Sequence, residues 1–182
     1  MTPSQFFVCT EEKFVPRVNA YRAIYPGPQR QASAQTPSRT KRGAMGYSEI
    51  PDGSIEQYEA VESTVMNRVA SGHKYWVDRG ADLSEGNVIA ATEPQQYLGV
   101  GRSEYKKYLD GQVNNRGARN AEAADQNLRR TGKPTTDATS FIVHRDGSPP
   151  SDEEIFRLGH VVYVGKVGRV YLYKDTAPPA KK

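Results

Sequence analysis

The sequence contains little cysteine and no long hydrophobic run, and each shortage excludes a class of protein. Cys9 is the single cysteine among 182 residues, so no disulfide can form within the chain. No stretch approaches the roughly 20 consecutive apolar residues that a membrane-spanning helix requires. The N-terminal MTPSQFFVCTEEKF lacks the basic region and apolar run of a secretory signal. We therefore expect no membrane span, and a function outside the cytoplasm would need a dedicated export route.

Hydrophobic residues are also few, at 36% of the chain with a mean hydropathy of −0.74. This composition indicates one domain with a modest core. The net charge of +4 suits a polyanionic target, either a nucleic acid or a bacterial cell wall. No phosphate-binding loop, dinucleotide fingerprint or RNA-binding signature is present, so we expect no nucleic-acid partner. The three histidines are far apart without metal-ligand spacing, and we expect no metal and no cofactor.

The chain divides into four parts by composition. Residues 1–25 resemble an N-terminal helical segment. Residues 26–45 are rich in Pro, Gln, Ser and Arg with almost no large apolar residue, which predicts a mobile linker or lid. The basic pair Lys41-Arg42 within this segment is interpreted as solvent-exposed. Residues 46–175 form the expected catalytic domain, and residues 176–182 a tail.

The clearest helix is predicted over residues 54–71. Ser54 and Gln57 have the spacing of a capping box, and Gly72 lies where a left-handed C-terminal cap is expected. Apolar residues recur at spacings of three and four, which places them on one face of the helix. These are Ile55, Tyr58, Val61, Val65 and Val69. This segment is therefore predicted to be the core helix.

The second half of the chain predicts shorter elements. Helices are expected from Ser103, over residues 117–131 and over residues 152–158. A strand is expected at 138–144, and alternating residues on both sides of a Gly-Lys-Val-Gly turn predict a hairpin over 160–174. The sequence thus predicts a helix-dominated α+β domain with its strands near the C-terminus.

Four glutamates lie in the stretch SEIPDGSIEQYEAVE, at the entrance and first half of the core helix. Glu49 is predicted in a loop just before this helix, where partial burial would raise its pKa toward that of a general acid. The alternative is an ordinary surface glutamate. Glu59 and Glu62 are neighbours on the helix and repel each other, which calls for a basic group nearby. Either they form a solvated face or one of them shares a cleft with Glu49.

Three segments in register resemble a known family. Glu49 is followed by Asn67-Arg68-Val69 at the end of a helix, then by Gln96-Tyr97 after an apolar run, then by a helix and the strand DATSF. This order is similar to that of cell-wall hydrolases of the spore-cortex-lytic type. The resemblance covers residues 45–175 and implies a lysozyme-like fold, mostly helical with a small C-terminal hairpin or sheet.

The resemblance also implies an activity and a set of site residues. The family cuts peptidoglycan glycan strands, here by cleavage of the β-1,4 bond between N-acetylglucosamine and N-acetylmuramic acid. Glu49 takes the position of the catalytic glutamate, and Glu59 or Glu62 is the candidate second carboxylate. Four residues are expected to line the groove and bind sugar hydroxyl and acetamide groups. These are Gln96, Tyr97, Thr139 and Ser140.

Several alternatives stay open. The family usually shows Gly-Glu-Ala-Arg-Gly-Glu where this chain has Ser48-Glu49-Ile50-Pro51-Asp52-Gly53, so the reaction could be lytic transglycosylation instead of hydrolysis. The expected absence of a signal peptide favours a type VI secreted effector that acts in the periplasm of a rival cell. Such an effector would have an immunity protein that occludes its cleft. A phage endolysin would also act on the cell wall without a signal peptide, because it has its own export route. A non-catalytic glycan- or protein-binding module is the alternative from another class.

Overall fold

The computed structural model describes residues 39–176 of the chain. Within this range, six α-helices and three strands form a mixed α+β fold, as the sequence predicts. The helices are α1 (Lys41–Glu49), α2 (Ile55–Ala70), α3 (Glu85–Ala90), α4 (Ser103–Leu109), α5 (Arg116–Thr131) and α6 (Asp152–Arg157). The strands are β1 (Ser140–Val143), β2 (Val161–Val167) and β3 (Val170–Asp175). Short 3-10 turns occupy Lys74–Trp76 and Leu98–Gly101. The predicted segment 1–25, the linker up to residue 38 and the tail beyond 176 lie outside the described residues.

Helix α2 is the centre of the core. The capping box is present, with the Ser54 side chain accepting from the Gln57 amide and the Gln57 side chain accepting from the Ser54 amide. Gly72 follows the helix with a φ of 73°, a conformation that glycine adopts without strain. The apolar face packs against α1, α3, α5 and the sheet. The predictions for this helix are therefore confirmed.

The prediction of a mobile linker over 26–45 is wrong for residues 41–45, because these residues form the first half of α1. Thr40 caps this helix by accepting a hydrogen bond from the Gly43 amide. A Cβ on Gly43 would lie 2.9 Å from the Tyr108 hydroxyl, so glycine permits close packing where composition shows few large apolar residues. The compact unit accordingly begins at Arg39 and not at residue 46.

The strands form one antiparallel sheet in the order β1-β3-β2. The central strand β3 pairs with β1 from Ser140–Tyr173 to Val143–Val170, and it contributes buried Leu172 and Val170 to the core. The elements predicted between 117 and 174 are confirmed within two residues at each end. None of the helices in residues 39–176 combines the length and the hydrophobicity needed to cross a bilayer.

Candidate active site

Glu49 is the last residue of α1, where the chain turns toward α2, and not a loop residue as the sequence predicts. Its side chain is half-buried, and its Oε1 accepts a hydrogen bond from the Gly99 amide at 2.6 Å. Burial raises the pKa of Glu49 above its ordinary value, since desolvation outweighs the Gly99 hydrogen bond and the charges of Arg102 and Arg68. The carboxyl group is therefore biased toward the protonated form that a general acid requires.

A groove of about 490 Å³ opens beside Glu49. The helical side of the groove is formed by residues 49–52 with Leu98 and Arg102. The sheet side is formed by residues 141–145 of β1 and its following loop, together with Glu154, Arg157 and Arg169. This volume lies within the range of about 300–1,000 Å³ that is usual for small-ligand sites, and it is sufficient for a few sugar rings.

The other acids in the groove differ in their freedom to react. Glu154 accepts hydrogen bonds from Ser151 at the start of α6 and lies 2.7 Å from His144 Nε2. These contacts lower the pKa of Glu154 to about 2, and the hydrogen bond from the Ser151 amide has the largest effect. The hydrogen bond between Glu154 and His144 raises the pKa of His144. Asp52 is exposed and has no ion-pair or hydrogen-bond partner among residues 39–176. Asp52 is therefore the unengaged carboxyl that faces the groove with Glu49.

The Asn-Arg-Val segment binds the backbone just before β1, the strand on the sheet side of the groove. Asn67 Nδ2 donates to the carbonyl oxygens of Thr136 and Ala138, both at 2.7 Å. Arg68 Nε donates to the Thr139 carbonyl at 2.6 Å. Two adjacent residues at the end of α2 thus fix the backbone that leads into β1. The Asn-Arg pair of the motif has a positioning role here.

The same arginine reaches the segment that contacts Glu49. Arg68 Nη1 donates to Gln96 Oε1 at 3.1 Å. The guanidinium lies between two aromatic rings, 4.2 Å from the centroid of Trp76 and 4.6 Å from that of Tyr97. Tyr97 is followed directly by the turn whose Gly99 amide binds Glu49. Residues of all three motif segments therefore meet around Arg68, whose charge also acts on Glu49.

The structure does not bring Glu59 or Glu62 into the groove with Glu49. Glu59 Oε1 accepts from Asn127 Nδ2 on α5, at 2.8 Å. Glu62 is 0% exposed, and the basic group expected beside it is Arg42, whose Nε lies 4.0 Å away. The prediction that one of them shares the cleft is corrected, because their face of α2 packs against α1 and α5.

The four predicted sugar-binding residues do not line the groove. Tyr97 is buried, and its hydroxyl bonds to Thr64 Oγ1 at 3.1 Å. Thr139 is buried, and its Oγ1 donates to Asp175. Ser140 is buried as well, and Gln96 is engaged by Arg68. This prediction is corrected, since none of the four is among the residues that line the groove.

A second cavity of about 380 Å³ lies at the other end of β1. Tyr75, Trp76 and Thr139 contribute to its lining. Its two acids are already engaged, since Asp175 accepts from Tyr75 and Thr139 and Asp137 pairs with Lys174 at 2.9 Å. The hydrogen bond from Lys174 lowers the pKa of Asp137, which makes that carboxyl unsuited to act as a general acid.

Sequence reasoning missed the basic residues of the groove. Arg102, Arg145, Arg157 and Arg169 come from four separate segments of the chain, and no spacing connects them. Phe141 also lines the groove, and its position in the DATSF strand is the one signal that could have indicated it. Folding, and not a local motif, assembles this surface.

No protein-family model, curated protein or solved structure matches the chain. Among residues 39–176 no group of three or more His, Cys, Asp or Glu side chains is arranged to hold a metal ion. The geometry of the groove is therefore the basis for the functional conclusion.

Proposed function

We propose that this protein is a peptidoglycan glycoside hydrolase of lysozyme-like type, with Glu49 as its general acid. The observation that supports this function best is a half-buried carboxyl with a raised pKa that opens into a groove of about 490 Å³. Protonated carboxyl groups beside polysaccharide clefts perform the first step of glycoside hydrolysis. The bond cleaved is the β-1,4 linkage between N-acetylglucosamine and N-acetylmuramic acid.

The two oxygens of Glu49 have different tasks in this mechanism. Oε1 accepts the hydrogen bond from Gly99, which fixes the orientation of the carboxyl group. Oε2 carries the proton and delivers it to the glycosidic oxygen as that bond breaks. The sugar then passes through an oxocarbenium-like state. Once Glu49 has lost its proton, the Gly99 amide and the charge of Arg102 stabilise the carboxylate.

Asp52 is the proposed second carboxylate, in place of Glu59 or Glu62. It lines the groove three residues after Glu49, and it is exposed and unpaired within the described residues. As a general base, Asp52 would activate a water molecule that attacks the anomeric carbon. If the 6-hydroxyl of the sugar attacks instead, the product is a 1,6-anhydro end. In that case Asp52→Asn retains cleavage, whereas hydrolysis requires the Asp52 carboxylate.

The groove rim supports the proposal of an inhibitory partner. Leu98 is 67% exposed and lines the groove, and Phe156 is 84% exposed beside the groove residue Arg157. Large apolar side chains with this exposure are candidates for burial by another protein. We propose an immunity protein that covers both and fills the groove, as expected for an effector delivered to the periplasm of rival bacteria.

Glu49→Gln tests the function directly, because the amide keeps the shape of the side chain and removes the proton donor. Cleavage of purified sacculi should fall by about 10²–10⁴-fold, the usual contribution of a general acid. Thermal unfolding should show that the variant folds normally. Mass analysis of the fragments and their reducing ends identifies the bond cut and separates hydrolysis from transglycosylation.

Glu56→Gln is the matched control. Glu56 is an exposed residue in the first turn of α2, outside the groove, and this variant should cleave at the wild-type rate. In the wild type, cleavage should also decline as pH rises through the raised pKa of Glu49, since the acid must be protonated. Retained cleavage by Glu49→Gln, or no cleavage of sacculi by the wild type, would overturn the proposal.

A further inference from the structure

The groove has an excess of positive charge that cleavage of a neutral sugar chain does not require. Four arginines line it, and the acids that could neutralise them are partly used elsewhere. Glu154 is paired with His144, and burial biases Glu49 toward its neutral form. Asp52 remains as the free carboxylate on the helical side. The net charge of the surface therefore favours an anionic ligand.

Three of the arginines lie on the sheet side. Arg145 follows β1 and Arg169 precedes β3, and Arg169 Nη1 donates to the Arg145 carbonyl at 3.2 Å, which brings the two residues together. Arg145 has no ion-pair partner among residues 39–176. Arg157 pairs with Glu153, but both side chains are largely exposed, so this pair is weak and easily replaced. These guanidinium groups are available to a ligand.

The glycan strand of peptidoglycan is uncharged along its sugars, apart from the acids carried by muramic acid. The lactyl group of muramic acid is joined to a short peptide, and that peptide bears free carboxylates. Guanidinium groups bind carboxylates with paired hydrogen bonds, which makes arginine suited to such ligands. The charged part of the substrate is therefore its peptide stem.

We propose that Arg145, Arg157 and Arg169 bind the carboxylates of the peptide stem on muramic acid, so that the enzyme prefers glycan strands that still carry their peptides. This inference rests on the proposed function and specifies its substrate. The sugar chain lies along Glu49 and Asp52, and the stem extends toward the sheet side of the groove.

Nucleic acid offers phosphates to the same arginines, but the arrangement of charge favours separate carboxylates. Acidic residues lie in the groove with the basic ones, since Asp52 is on its helical side and Glu154 on its sheet side. A continuous phosphate backbone would pass close to these acids and be repelled. A peptide stem places its few carboxylates on the sheet side, away from Asp52, and the acid of that side, Glu154, is paired with His144.

The test compares glycan strands that carry their peptides with strands from which the peptides have been removed, a hydrolysis that leaves one carboxylate on each lactyl group. Peptide-bearing glycan strands are digested beside the same strands stripped of peptide by an amidase. The wild type should have a kcat/KM about tenfold higher on the peptide-bearing strands, the effect of one or two charge-assisted contacts. The double variant Arg145→Gln/Arg169→Gln should lose this preference through a higher KM, with kcat retained.

Arg116→Gln/Arg130→Gln is the control for the loss of two positive charges. Both residues are exposed on α5 outside the groove, so this variant should keep the preference. Equal cleavage of the two substrates by the wild type would overturn the inference and leave the proposed function intact. A double variant that slows on both substrates to the same extent would overturn it too.

A binding measurement keeps the inference testable if no strand is cut. The Glu49→Gln protein is titrated with the free stem peptide and with the same peptide after its carboxylates are amidated. The inference is supported if the free peptide binds, the amidated peptide does not, and the substitutions Arg145→Gln/Arg169→Gln abolish the binding. This result does not depend on whether the protein cleaves glycan strands. No binding of the free peptide, or tighter binding of a single-stranded oligonucleotide than of peptide-bearing strands, contradicts it.

Discussion

The groove beside Glu49 and a charged cluster at α1 contain the same chemical group in two settings. The charged cluster consists of Arg42, Glu62, Glu85, Asp125 and Arg129. Burial raises the pKa of both Glu49 and Glu62. Glu49 opens into the groove and accepts a hydrogen bond from Gly99. Glu62 is 0% exposed, and neither of its oxygens has a hydrogen-bond partner in the described residues. A raised pKa alone therefore does not identify a catalytic acid, and access to the groove makes the difference.

The charged cluster is held together by Arg42. Its guanidinium lies 3.0 Å from Asp125 and 2.8 Å from Glu85, with Glu62 at 4.0 Å, and Asp125 also pairs with Arg129. One buried cation on α1 thus connects acids on α2, α3 and α5. The interpretation of Arg42 as a solvent-exposed residue is wrong for this reason. The cluster has a structural role and positions the helix that ends in Glu49.

The largest effect on stability is expected from Arg42→Ala. Removal of the buried cation leaves the buried Asp125 with the half-exposed Arg129 as its remaining ion-pair partner, and breaking a buried pair in this way costs up to about 3–5 kcal/mol of unfolding free energy. Denaturant unfolding measures the loss. Lys174→Ala, which breaks the exposed pair with Asp137, should cost about 1 kcal/mol or less. Similar losses in the two variants would show that the cluster is not the main electrostatic support of α1.

A smaller loss of stability, together with a loss of cleavage, is expected from Gly99→Ala. A Cβ at this position would lie 2.4 Å from Ser48 Oγ and 2.8 Å from the Ser48 backbone, so the turn must move and its amide leaves Glu49. We expect a loss of about 1–3 kcal/mol of stability and of about tenfold or more in cleavage. Gly101→Ala has no atom within 4 Å of its Cβ and should change neither. Full cleavage by Gly99→Ala would mean that the hydrogen bond does not orient the acid.

The sequence predicts regular elements well where a local signal exists. The capping box of Ser54 and Gln57 and the left-handed Gly72 locate α2 within a residue at each end. The sequence-based prediction fails for α1, because this helix depends on close approach between Gly43 and Tyr108, residues that are far apart in the chain. Composition measures how much apolar surface a segment has, and it does not reveal how closely the backbone packs.

The candidate site follows the same division. The resemblance led to Glu49 by position, and the structure gives that residue a groove and a hydrogen bond. Helical spacing placed Glu59 and Glu62 on the same face of α2. The helices that cover this face are determined by tertiary packing, which the spacing does not reveal. The groove arginines and Asp52 carry no periodic signal. Long-range contacts alone bring them together.

The buried carboxyl of Glu62 should also make the stability of the protein depend on pH. The unfolded chain loses the Glu62 proton near the ordinary pKa of 4.5, whereas the folded protein keeps it. The folded state therefore binds more protons above that pH, and stability should fall by about 1.4 kcal/mol per pH unit until the raised pKa is reached. Glu62→Gln removes this dependence and should gain on the wild type as pH rises. Glu56→Gln, at an exposed residue whose pKa is lowered by its own amide and Ser54, should change the slope in the opposite direction and only below about pH 4.5. Unfolding curves that keep a constant separation between Glu62→Gln and the wild type from pH 4 to pH 7 would mean that Glu62 is already ionised in the fold.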